Sequence, residues 1–120
     1  MIIKPFHVYD SVSCSNGVAT KIPYNETWNS ETKSGETICI YNYRPFISDD
    51  STASKTIVIE IFRDGHLIFT DITHFTTQQM ITLTKPIILN EGSQYEIKVT
   101  QNSGGVATVG LTLHGELILE

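Results

Sequence analysis

Thr56-Ile57-Val58-Ile59-Glu60-Ile61-Phe62-Arg63-Asp64-Gly65-His66-Leu67-Ile68-Phe69-Thr70-Asp71-Ile72 is the stretch on which the fold turns. Two runs rich in β-branched and aromatic residues flank Asp64-Gly65, and Asp-Gly supplies the two positive φ angles of a type I′ hairpin turn. With these two residues at the tip, regular pairing sets Arg63 opposite His66, Ile61 opposite Ile68, Ile59 opposite Thr70 and Ile57 opposite Ile72. That register predicts a core face of Ile57, Ile59, Ile61, Ile68 and Ile72. The other face carries Val58, Glu60, Phe62, Leu67 and Phe69, and is too apolar to be fully wetted. A loop, the amino-terminal arm or another subunit is expected to cover part of it.

Working outward, the same period-2 grammar recurs and no amphipathic helical stripe appears. Met80 to Thr84 leads through Lys85-Pro86 into Ile87-Ile88-Leu89, and Asn90-Glu91-Gly92-Ser93 reads as a tight turn. Tyr95, Ile97 and Val99 alternate with Glu96 and Lys98 as the inward and outward residues of one strand. Gln101 to Gly105 is expected to be a flexible turn, and Val106 to Leu119 a last strand that Gly110 and Gly115 bend or bulge. Strands are also expected at Pro5 to Tyr9, Val18 to Pro23 and Thr37 to Tyr43. Polar loops follow the second and third of these, at Tyr24 to Gly35 and Ser48 to Ser54. About eight short strands at this spacing predict an all-β, single-domain antiparallel β-sandwich of jelly-roll or Greek-key type. The domain takes in all of residues 1–120, with 1–7 read as an extended N-terminal arm.

Size and charge narrow the function classes. A chain of 120 residues holds one core, and its 40% apolar content is enough to build it. With 8 Lys and Arg against 13 Asp and Glu, and no basic cluster, a phosphate backbone would be repelled, so no nucleic-acid partner is expected. No apolar run approaches the length of a membrane span, and the start of the chain does not read as a secretory signal. Synthesis in a cytoplasm is the expectation. There Cys14 and Cys39 read as buried free thiols, whereas an extracellular setting would leave one bridge open to them.

Residues that could carry chemistry are scattered. His7, His66, His74 and His114 lie on four separate segments without the close spacing of a zinc site. Glu60, Asp64, Asp71, Glu91 and Glu96 read as solvated strand-edge or turn acids, and Asp49-Asp50-Ser51 offers too few oxygens for calcium. No nucleophile elbow or phosphate-binding glycine loop is present, and the sequon Asn25-Glu26-Thr27 lacks a secretory context. The expectation is a non-enzyme with no catalytic residues, metal or cofactor. What remains is surface: Phe62, Leu67, Phe69 and Phe6 form the candidate interface set. Trp28, Tyr24, Tyr41 and Tyr43 form a candidate stacking set for a glycan, since aromatics with polar tips suit both interfaces and sugar platforms.

From Gly35 onward the order of motifs resembles a family of small β-sandwich virion proteins of tailed bacteriophages. The motifs are Ser34-Gly35-Glu36-Thr37-Ile38 leading to Tyr41-Asn42, a polar loop, and Ile57-Val58-Ile59 with its Asp-Gly hairpin. They continue with Pro86 to Gly92, the strand Tyr95 to Val99, a Ser-Gly-Gly turn, and Leu113-His114-Gly115-Glu116-Leu117-Ile118. The resemblance implies a non-enzymatic virion structural protein: a capsid decoration or auxiliary protein, a head fibre or a tail accessory domain. It also implies homo-oligomers, partners among major capsid or tail proteins, and a location in the virion. The alternative is a carbohydrate-binding or adhesin-type module at a tail or fibre tip.

Overall fold

The structure, a computed structural model, describes residues 1–22, 35–48, 55–74, 79–92 and 94–120. Eight strands follow one another: β1 (Ile2–Cys14), β2 (Thr20–Lys21), β3 (Glu36–Ile47), β4 (Thr56–Arg63), β5 (His66–His74), β6 (Ile81–Leu89), β7 (Tyr95–Gln101) and β8 (Ala107–Leu119). One sheet has the order β1-β8-β3-β6 and the other β2-β7-β4-β5, and every pairing within them is antiparallel.

The pairs β1–β8, β2–β7, β3–β6 and β4–β5 are nested one inside the next, so the fold is a long antiparallel ribbon rolled into two layers. That is jelly-roll topology. Its tip is the Asp64-Gly65 turn, where φ is 50° and 83°, the two left-handed residues that the hairpin requires.

Alternate residues from both sheets fill the space between the layers. Ile59 and Ile61 of β4 pair with Val99 and Ile97 of β7 on the same layer, Ile57 pairs with Gln101, and these and Tyr95 are all buried. Across the gap lie Phe6, Val8, Ile38, Ile40, Tyr43, Ile47, Val109, Leu111 and Leu113. Each buried isoleucine contributes roughly 1.5–3 kcal/mol of burial free energy.

The hairpin register differs from the regular one in a single place. Arg63 pairs with His66 and Phe62 with Leu67, but Ile61 pairs with Phe69, which leaves Ile68 as an extra residue on β5. A bulge of this kind shifts everything beyond it by one residue and so exchanges the faces. Ile72, expected in the core, is 64% exposed, and Phe69, expected outside, packs against the core. Ile68 keeps its place against the core because bulge residues share one partner.

A second bulge lies on β3. Ile40 pairs with Gly115 and Asn42 with His114, so Tyr41 is extra. Gly115 is the residue that lets this happen, because a side chain there would run into the Cys39 carbonyl and lie 2.9 Å from the Ile40 Cα. Gly110 has a different reason for being glycine. The Tyr9 ring lies across it from β1, with its hydroxyl 2.6 Å from where a Cβ would stand.

Cys14 and Cys39 are free and buried. Cys14 pairs with Ala107 and Cys39 with Glu116, nine residues further along β8, a separation of roughly 30 Å at strand rise. A bridge between them is impossible in this fold.

Candidate interaction surfaces

Three surfaces could meet a partner: the outer faces of the two sheets and the unpaired edges. On the β2-β7-β4-β5 sheet the outer face carries Val58, Glu60, Phe62, Glu96 and Lys98. Lys98 lies over the Phe62 ring at 5.2 Å and pairs with Glu96, which also meets Lys21 at 3.7 Å. The Phe62 ring is thus half-covered by its own sheet. These ion pairs are exposed and add little stability, but they make this face wet and charged.

The candidate interface set is therefore split. Phe6 is 4% exposed and belongs to the core, because β1 turns its even-numbered residues inward. Phe69 faces inward through the Ile68 bulge, with its ring edge-on to Tyr43 at 5.9 Å. Leu67, 50% exposed beside the turn, and half-buried Phe62 are the members left outside.

The candidate stacking set is split as well. Tyr24 and Trp28 lie outside the described residues, as do Asn25-Glu26-Thr27 and Asp49-Asp50. Tyr43 is 2% exposed, and its hydroxyl donates to the Asp71 carboxylate, tying the two layers together. Tyr41 stands on the outer face as the bulge residue, where a hydrogen bond to Glu116 pushes its hydroxyl up to about 12.

The outer face of the other sheet holds a row that sequence reasoning missed. Pairing sets Tyr9, Thr112 and Arg44 side by side, with Phe46 one step further, and these four line a shallow depression. In the next row His7 and His114 stack at 4.0 Å with rings 30° apart, and Asn42 stands beyond them. The signal lay in alternation along β1, since His7 and Tyr9 share a face, but the neighbours come from strands more than thirty residues away. Among the described residues no three His, Cys, Asp or Glu side chains converge as a metal site, and no helix is long and apolar enough to cross a membrane.

The His7–His114 stack carries a pH dependence. Burial, and secondarily the charge on His7, hold His114 below the usual imidazole value. The unfolded chain therefore binds that proton first on acidification. Its contribution is fully present above the unfolded value near about 6.5 and is lost as pH falls from there toward the folded value. Replacing His7 by Gln removes only the second cause. The His114 midpoint, followed by its imidazole NMR resonance, should rise toward its ordinary value without reaching it. An unmoved midpoint would leave burial as the whole cause.

The edges are the third surface. β2 has two residues and β5 is bulged, while β6 leaves Leu83 to Pro86 out of register with β3 and carries Lys85 and Pro86 there. Such features blunt an edge. β1 is different: thirteen residues pair with β8 in unbroken register, and its other side is unpaired among the described residues.

Its bonding phase follows from β8. The Ser48 N–H donates to Thr108 and the Glu120 N–H to Gly35, so even-numbered residues of β8 turn toward β3 and odd-numbered ones toward β1. Even-numbered residues of β1 therefore bond β8. Ile3, Pro5, His7, Tyr9, Ser11 and Ser13 point their backbone groups to the free side, and Pro5 has no donor to leave open there.

No family model and no curated protein matches this chain. Among solved structures it is similar to dimeric latent PorU from Porphyromonas gingivalis, with a TM-score of 0.38 and 11% identity over 97% of this chain and 13% of that one. It is also similar to the insecticidal delta-endotoxin Cry8Ea1 from Bacillus thuringiensis, with a TM-score of 0.32 and 13% identity over 92% of this chain and 19% of that one. The chain spans less than a fifth of either protein, and likeness at this level carries no argument about what it does.

Proposed function

We propose that the chain is a non-enzymatic structural subunit that works by burying surface against other protein chains, as a bacteriophage virion component of the capsid-decoration or auxiliary type. The observation that carries this reading is the outer edge of β1: a long, regular strand that no other strand pairs with on that side among the described residues is a template for another chain. Exposed Ile2, Ile3 and Tyr9 along the same strand add apolar area at that edge. The virion setting rests on the order of motifs from Gly35 to the carboxyl terminus. Jelly rolls serve viral capsid and lectin domains alike, so the fold admits this role without selecting it.

Quantitative mass spectrometry of purified particles tests the proposal. Copies comparable to the major capsid protein are expected for a decoration subunit, and a few copies would move the chain to the tail or a fibre. Complete absence from particles would overturn the virion reading.

A further inference from the structure

We infer that the partner of the β1 edge is a second copy of this chain, whose own β1 adds antiparallel about a twofold axis at His7. The inference rests on the reading of the chain as an assembling structural subunit and names the surface and the partner. Lys4 and Asp10 are the only Lys, Arg, Asp or Glu residues on β1, and both are even-numbered, so they share the inner face of the strand. Among the described residues neither belongs to an ion pair.

Two constraints limit the register, and the charges choose within them. Backbone bonds across the new edge must join odd-numbered residues, because the even-numbered ones are already bonded to β8. Directly opposed side chains must lie on the same face of the joined sheet. Several registers satisfy both, but centring on His7 is the one that sets Lys4 opposite Asp10 of the second copy, twice by symmetry. Moving the centre to Phe6 sets Lys4 against Val8 and Asp10 against Ile2, and moving it to Val8 sets Lys4 against Val12 and Asp10 against Phe6, which costs desolvation without a partner.

In the His7 register Phe6 lies opposite Val8, Ile2 opposite Val12 and Ile3 opposite Ser11 of the other copy. Pro5 lies opposite Tyr9, and its missing donor removes one bond from each half and no more. The two β1-β8-β3-β6 sheets would then run on as one, with their Tyr9 and His7 rows on a common outer face.

Sedimentation equilibrium of the purified chain is the test, with circular dichroism to confirm that each variant is folded. The unsubstituted chain should dimerise. Lys4→Asp and Asp10→Lys, each of which sets like charges opposite one another, should each weaken the dimer tenfold or more. The double variant should recover most of that loss. Ser11→Pro removes a free-edge donor but no bond to β8, and should weaken the dimer independently of charge.

A chain that stays monomeric at high concentration overturns the inference, as does a dimer that the double variant fails to restore. The two readings can fail separately. A monomer that is abundant in particles removes the β1 pairing and leaves the virion role, whereas a His7-centred dimer absent from particles does the reverse.

Discussion

Gly115→Ala is expected to destabilise the protein by more than about 3 kcal/mol, at the upper end of what single substitutions cost. The added methyl group would occupy the place of the Cys39 carbonyl oxygen and lie 2.8 Å from its carbon, and every atom it meets belongs to backbone. A flexible side chain could swing aside, but β3 can yield here only by giving up its bulge. Without the bulge Tyr41 would have to enter the pairing, and every residue from Asn42 to Ile47 would exchange faces, taking Tyr43 and Ile47 out of the core. Urea unfolding would measure the loss. A change below about 1 kcal/mol would mean that the strands separate more easily at this crossing than their packing implies. Gly110→Ala is the internal comparison, since its added methyl meets the Tyr9 side chain, which is half exposed and able to move.

Gln101→Leu should cost roughly 2–4 kcal/mol although it preserves shape and adds apolar surface. Gln101 is 1% exposed, and its amide group donates to Cys14 O at 2.7 Å and Gly105 O at 2.8 Å while its oxygen accepts from Ser103 N–H at 2.6 Å. One side chain thus ties the end of β1 to the turn between β7 and β8. Leucine would take the amide away from all three backbone groups, and although Gly105 O keeps the Ser103 hydroxyl, the buried Cys14 carbonyl would lose its Gln101 donor at the greatest cost. Amide exchange should show the loss concentrated around Ser103 and Gly104. A variant as stable as the parent would mean that water enters and replaces the amide.

The all-β class, the tip of the hairpin and the inward residues of β4 and β7 were legible because each depends on local grammar: a positive-φ dipeptide and strict alternation. What was not legible depends on residues that meet only in the fold. The Ile68 bulge cannot be read from a hairpin whose two faces are both apolar, since either register looks acceptable, and the slip misassigned Phe69 and Ile72 together. Phe6 and Tyr43 are aromatic and near irregular segments, which suggested surface, yet their phase along β1 and β3 turns them inward. Gln101 looked like a turn residue because its place is set by a carbonyl eighty-seven positions away. The Tyr9, Arg44, Phe46 and Thr112 row was missed for the same reason.

The nested order of strands also dictates when this protein can fold. β8 comes after the other seven described strands in chain order, yet it lies between β1 and β3 as an inner strand of its sheet. While the chain is still on the ribosome, the hairpin at Asp64-Gly65 and its neighbours can zip together, but β1 gains its strand partner among the described residues only when residues beyond Ala107 have emerged. Closing that outermost pair joins Ile2 to Leu119, the widest sequence separation among the strand pairings, and so demands the greatest loop-closure entropy of them. The eighth strand in chain order is thus the one that commits the first.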